Sequence, residues 1–205
     1  MNAASGTALR PIYLASRSPR RKDLLRQIGV DFIELPEGGH AILERPRPHE
    51  SPRDYVRRIA QTKAAVGWHT MSTQGLPRHP VLAADTEVIV GNDVLGKPAD
   101  AAHATAMLTL LSGTTHEVVT VVAVRWNARM HWVRSSSLVT LRELSTQEIA
   151  RYVAGGEPFD KAGAYGIQGS AGAFISHLSG SYTGVMGLPL YETAGLLDRI
   201  GYHAG

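Results

Sequence analysis

Residues 11 to 21, Pro11-Ile-Tyr-Leu-Ala-Ser-Arg-Ser-Pro-Arg-Arg21, join a short apolar segment to a helix start crowded with cations. Pro11 to Ser16 reads as a strand. Ser18 reads as an N-cap and Pro19 as the first helical residue, with Leu24, Leu25 and Ile28 on the apolar face and Gly29 as the stop. Strand, turn and helix in that order form the unit that presents ligands at strand ends in α/β folds. Arg20, Arg21 and Lys22 then fall in the first turn, against the positive end of the helix dipole, where each exposed cation is unfavourable by ~0.3–1 kcal/mol. Two readings account for them: a solvated basic helix end, or an anion, above all a phosphate chain, docked on free N–H groups among arginines.

Outward from this unit the pattern stays α/β. Ser51-Pro52 repeats the cap-plus-proline signature and opens a helix through Tyr55, Val56, Ile59 and Lys63 to Gly67, with loops on either side at 36–50 and 70–80. Val81 to Val90 is an apolar strand interrupted by Asp85-Thr86-Glu87, and the Gly91-Asn92-Asp93 turn predicts a hairpin-like return carrying Lys97. Asp100 caps an alanine-rich helix ending near Gly113. Val118–Trp126 and Trp132–Leu141 read as two strands joined through 127–130, and Ser145 to Glu148 is a capping box opening a helix to Val153. Glycines 163, 166, 169 and 172 follow at a spacing of three, and Glu192 to Ile200 closes as a helix. Residues 1–9 read as a loose tail and 10–203 as one compact domain with a cleft.

Composition bounds the function. The 205 residues are 43% hydrophobic and 19% charged, ordinary for a globular chain that buries a core. There is no cysteine, which excludes disulfides, thiolate metal sites and a cysteine nucleophile. No apolar run approaches the ~20 residues of a membrane span and the N-terminus lacks a signal-peptide core, so a cytoplasmic protein without membrane contact is expected. A formal charge of +3 and an isoelectric point near 9.3 suit a phosphorylated small molecule and a nucleic acid equally. The nine histidines show no metal-binding spacing. Walker A, nucleophile-elbow and dinucleotide glycine fingerprints are absent from the sequence.

Asp85 is the most exacting residue. An ionised carboxylate is costly to bury in an apolar strand, so it must be paired, metal-bound or at a cleft. Alternation places Asp85 and Glu87 on one face of the strand and Thr86 on the other. Two carboxylates at the two-residue repeat, about 7 Å apart, either share a hard cation or lie at a solvated strand end. Asp85 also suits general-base work on water. Gln168, among glycines that let a backbone approach a ligand, offers both a donor and an acceptor to a base edge.

Together, Ala15-Ser-Arg-Ser-Pro-Arg-Arg21, Lys63-Ala64, Ala84-Asp-Thr86, Leu95-Gly-Lys-Pro98, Leu111-Ser-Gly-Thr-Thr-His116, Asp160-Lys-Ala-Gly-Ala-Tyr-Gly-Ile-Gln-Gly169 and Gly180-Ser-Tyr-Thr-Gly-Val-Met-Gly-Leu-Pro189 resemble the Maf family of nucleoside triphosphate pyrophosphatases. The motifs stand in the family's order and run nearly from Ile12 to Leu197. The resemblance implies a twisted mixed sheet flanked by helices with a deep central cleft, similar to inosine triphosphate pyrophosphatases. It also implies metal-dependent hydrolysis of the α–β phosphoanhydride of a nucleoside triphosphate to a monophosphate and pyrophosphate. The Asp160–Gly169 motif is similar to the branch acting on dTTP and UTP.

Carried over residue by residue, the resemblance makes Asp85 the general base or the holder of the metal, with Glu44 as a further metal ligand. Arg20, Thr86 and Gln168 fall where the family sets substrate choice, and Ser16, Arg21, Lys63 and Lys97 match its phosphate-binding positions. Glu87 has no counterpart in the family's pattern and stays outside the expected site. The implied cofactor is a divalent cation, Mg2+ or Mn2+. The implied partner is the nucleotide, with no stable nucleic-acid complex expected and a homodimer left open. Two further readings compete: a 7-methyl-GTP or other modified-purine substrate, and a basic nucleic-acid-binding or septum-regulating protein. Asp85 separates the last, since a binder of polyanions has no use for a carboxylate beside its cations.

Overall fold

The computed structural model describes residues 11–35 and 42–202; the tail at 1–9 and the first part of the 36–50 loop lie outside them. The seven strands are β1 (Ile12–Leu14), β2 (Phe32–Glu34), β3 (Val81–Val90), β4 (Asp93–Leu95), β5 (Thr115–Trp126), β6 (Arg129–Leu141) and β7 (Ile175–Ser179). They form one mixed sheet in the order β2-β1-β3-β5-β6-β7, with β4 paired to β3. β1 runs parallel to β2 and β3, and the remaining pairs are antiparallel. The helices are α1 (Pro19–Gln27), α2 (Pro52–Thr73), α3 (Ala101–Leu111), α4 (Thr146–Ala154), α5 (Tyr182–Met186) and α6 (Leu190–Asp198). This is the mixed α/β architecture the sequence predicts. No helix among the described residues is long and apolar enough to cross a membrane.

β3 decides where the chemistry lies. Ala83 and Ile89 on one face join Val119 and Val121 in a core beneath Tyr55, Val56, Ile59 and Ala60 of α2. Leu82 and Ala84 on the other face pack with Leu24 and Leu25 of α1 and Leu196 and Leu197 of α6. Strand alternation therefore sends Asp85 and Glu87 toward α2 and Thr86 toward α1. A third core under α3 and α4 takes Val88, Val118 and Val139.

Where the structure departs from the sequence reading, packing supplies the reason. α2 does not stop at Gly67 but continues to Thr73. A Cβ at Gly67 would stand 2.8 Å from Val81 Cγ1 and 2.9 Å from Ala15 Cβ, so this glycine lets the helix pass tightly over β1 and β3 rather than ending it. β6 begins three residues earlier than expected because the hairpin closes on two residues, with Asn127 at a φ of 54°. β5 also begins three residues earlier, because Thr115 to Glu117 pair with Thr140 to Leu138. α6 begins at Leu190, just after Pro189. The short strands β2 and β7 and the five-residue α5 had not been expected. The glycine-rich stretch forms three short 3-10 turns at Glu157–Asp160, Ala162–Ala164 and Ser170–Phe174.

Candidate active site

A cavity of about 900 Å³ opens between β3, the start of α1 and the inner face of α2. Small-molecule sites are clefts of ~300–1,000 Å³, so the cavity has the size of a ligand site. Ser16, Arg20, Arg21, Glu44, Lys63, Asp85, Thr86 and Lys97, eight of the nine expected site residues, line it. Gln168 is the exception: its side chain is exposed and the lining does not include it.

The cationic wall begins at α1. Ser51 and Ser145 each accept a bond from a first-turn N–H of their helices, whereas Ser18 makes no side-chain capping bond. A cap of this kind contributes ~1 kcal/mol, and leaving it out keeps first-turn N–H groups open to an anion. Arg21 turns inward and is held at three points. Nε donates to the Gly187 carbonyl at 2.8 Å, one terminal nitrogen to Ser16 Oγ at 3.2 Å and the other to Thr86 Oγ1 at 3.3 Å. Burial lowers its pKa from the ordinary arginine value, and the nearby Asp85 charge opposes that shift.

Behind Arg21 the hydrogen bonds have a direction. Thr120 donates its only hydroxyl proton to the Gly184 carbonyl at 2.7 Å. In its 2.8 Å contact with Thr86 it must then accept, so Thr86 is the donor and in turn accepts from Arg21. Arg20 lies nearer the mouth, ion-paired to Asp160 at 2.9 Å. Asp160 reaches it because Gly163, at a φ of +66°, packs on Val88 where no Cβ would fit, and donates to the Gly96 carbonyl at 3.1 Å. That bond ties the glycine-rich segment to the turn carrying Lys97.

The carboxylate wall faces these cations. Lys63 Nζ, from the middle of α2, sits 2.8 Å from Asp85 Oδ1 and 3.0 Å from Glu44 Oε1. Asp85 and Glu87 are 5% and 7% exposed, and Asp85 Oδ2 and Glu87 Oε2 are buried without a hydrogen-bond partner. Burial raises the Asp85 pKa above the usual carboxylate value, with Lys63 pulling the other way. Burial, reinforced by the Asp85 charge, pushes Glu87 up to about 8. Two buried carboxylate oxygens without partners, on a wall beside Lys63 and Lys97, match the donor chemistry of a hard divalent cation.

Glu87, which the resemblance left outside the site, therefore joins Asp85 and Glu44 on this wall. The signal was present in the alternation that puts both carboxylates on one face of β3. Thr120 was missed for another reason: a threonine inside a strand carries no mark of function until the fold brings it beside Thr86. Asp160 was legible as the start of the glycine-rich motif, but its pairing with Arg20 emerges only in the fold.

The Maf-like protein family model matches residues 11–200. The chain belongs to this family. Among similar Maf-like proteins, the dTTP/UTP pyrophosphatase of Cupriavidus metallidurans is 52% identical over 195 residues, covering 94% of this chain and 98% of the relative. That of Dechloromonas aromatica is 51% identical over 196 residues, with 93% and 98% covered. That of Aromatoleum aromaticum is 52% identical over 197 residues, with 93% and 96% covered.

Proposed function

We propose that this Maf-like protein hydrolyses the α–β phosphoanhydride of dTTP and UTP to the nucleoside monophosphate and pyrophosphate, with a divalent cation. The near full-length similarity to proteins named dTTP/UTP pyrophosphatase supports the substrate. The observation that carries the chemistry is the opposition of a cationic wall to a buried carboxylate with one open oxygen. Phosphoryl cleavage needs positive groups around the phosphates and an in-line water more than a covalent nucleophile.

In this reading Arg21, Ser16, Lys97 and the start of α1 bind the phosphate chain. Arg20 and Thr86 stand where the nucleoside end is sensed, and Gln168 joins them by movement of the glycine-rich segment toward the cavity. Asp85 accepts the proton of the attacking water as the phosphorus–oxygen bond to pyrophosphate breaks. Its raised pKa makes it a better base than a free carboxylate. The cation would be held through Asp85 and supplies charge neutralisation at the phosphates when bound. A panel of nucleoside triphosphates with separate detection of pyrophosphate and orthophosphate tests the reading. Early pyrophosphate from dTTP and UTP is expected, and orthophosphate as the sole early inorganic product would overturn it.

A further inference from the structure

The structure assigns Glu87 to the cation site as the second protein ligand, beside Asp85; we infer that the ion is held between these two carboxylates and the phosphates of the nucleotide. The inference rests on the metal-assisted reading above and adds a residue that the family's motif does not contain.

The argument begins with which oxygens are engaged. Lys63 Nζ contacts Asp85 Oδ1 and Glu44 Oε1, so those two atoms already have a cation. Glu44 is also half exposed, at 48% of its side chain, and has water as an alternative partner. The open pair is Asp85 Oδ2 and Glu87 Oε2, both buried and both without a hydrogen bond. Each residue is more than nine-tenths buried and each lines the cavity. Valine or isoleucine would suit position 87 of β3 as a purely structural residue, as the neighbours Val88 and Ile89 show. A carboxyl group there, with Oε2 buried and unpartnered, offers an oxygen to a cation.

The segment after β4 borders the place. A Cβ built on Gly96 would lie 3.9 Å from Glu87 Oε2, so the glycine forms a close border without closing over the oxygen. Among the described residues no group of three or more His, Cys, Asp or Glu side chains is arranged to hold a metal by itself. Two carboxylates alone make a weak site. That is the pattern of Mg2+ and Mn2+ centres in which one or two carboxylates and substrate phosphates share the ion with water. The ion and the nucleotide should therefore bind together, each strengthening the other.

Binding of Mn2+ tests this directly, read from loss of the free-ion electron paramagnetic resonance signal with and without a non-hydrolysable α,β-imido analogue of dUTP, each corrected for the same mixture of Mn2+ and analogue without protein. The wild-type protein is expected to bind Mn2+ more tightly when the analogue is present. Glu87→Gln should weaken that binding by at least about tenfold, while analogue binding in metal-free buffer is not weakened. Glu87→Asp, which keeps the charge but withdraws it by one methylene, should fall between the two and serves as the test if the glutamine variant does not melt cooperatively. Wild-type Mn2+ affinity in the folded glutamine variant, or in the aspartate variant used in its place, would overturn the role of Glu87 and leave the metal-assisted reading standing if Asp85→Asn loses the ion. Absence of Mn2+ binding by the wild type under both conditions would overturn both.

Discussion

Lys63 Nζ lies 2.8 Å from Asp85 Oδ1, an ion pair formed between the middle of α2 and the buried centre of β3. Burial drives the Asp85 pKa up and Lys63 restrains it, so in the proposed mechanism the lysine lowers the pH at which Asp85 becomes available as the base. A base must be ionised to act, and activity therefore rises as pH rises through its pKa. Lys63→Met removes the restraint, and the Asp85 pKa then climbs further. The acidic limb of the pH–kcat profile should move to higher pH, with lower activity throughout. An acidic limb left in place would separate Lys63 from the ionisation of Asp85.

Asp85→Asn keeps the size of the side chain but can neither take a proton nor neutralise a cation. Its kcat should fall by roughly 10²-fold or more, as expected for loss of a general base. Binding of nucleotide in metal-free buffer should persist, because Arg21 and Lys97 are untouched. The check is single-turnover kinetics alongside equilibrium binding, and a near wild-type kcat would return Asp85 to a structural role.

Thr120 acts on the site without touching the cavity. Its hydroxyl accepts a hydrogen bond from Thr86 and donates one to the Gly184 carbonyl, which fixes the Thr86 oxygen as the acceptor for Arg21. Thr120→Val leaves a buried carbonyl without its donor and Thr86 without its acceptor. A loss of about 1–3 kcal/mol in stability is expected. KM for nucleotide should also rise as Arg21 loses its fixed orientation, and Thr120→Ser should restore it. Denaturant melts and steady-state kinetics on the pair read both effects. A valine variant that is destabilised but has an unchanged KM would confine Thr120 to packing.

Much of this was legible in the sequence, and what was not has physical causes. Proline caps at Ser18 and Ser51, the capping box at Ser145 and the ten-residue run of β3 are local signals, and each marks its element in the structure. Gly67 misled because a glycine reads as a helix stop when only the chain is in view, while its reason is the approach of Val81 and Ala15. β7 was missed because its Ile-Ser-His-Leu-Ser sequence is half polar, as suits an edge strand with one neighbour. The site residues were legible through the motif resemblance and the oddity of Asp85. The pairings Lys63–Asp85 and Arg20–Asp160 join residues 22 and 140 positions apart, and no local pattern announces them.

His116 gives a stability prediction that is independent of catalysis. Nε2 contacts the Tyr165 hydroxyl at 2.7 Å, and Nδ1 is buried without a partner. Burial lowers its pKa to about 4 from an ordinary 6.5. Between those values the unfolded chain binds the proton that the folded chain refuses, so stability rises with pH in that window. The contribution is fully present above about pH 6.5 and is lost as pH falls toward 4, with a ceiling on the order of 3 kcal/mol. His116→Gln, which has no titration there, should lose less stability than wild type between pH 7 and pH 4.5 in paired urea melts. Parallel pH profiles would show that the ring is not the group refusing the proton.

Gln168 gives the most exposed prediction, in both senses. It stands outside the cavity, on a segment anchored by Gly163 against Val88, Tyr165 against His116 and Asp160 against Arg20. To read a pyrimidine's imide edge it must move inward with that segment, where its amide supplies the donor and acceptor that the edge requires. The cost of removing it should then appear only in the substrate complex. Gln168→Ala should leave the melting temperature of the free protein unchanged. It should lower kcat/KM for dTTP and UTP more than for purine triphosphates, by the ~1–3 kcal/mol of a lost buried hydrogen bond, or tenfold and more in the ratio. Arg20→Ala removes one of the ties of that segment, its pair with Asp160, while also taking a cation from the cavity mouth, so it should weaken every triphosphate. An unchanged ratio in Gln168→Ala would show that base choice is made by the cavity wall already in place, at Thr86 and Arg20, without closure of the glycine-rich segment.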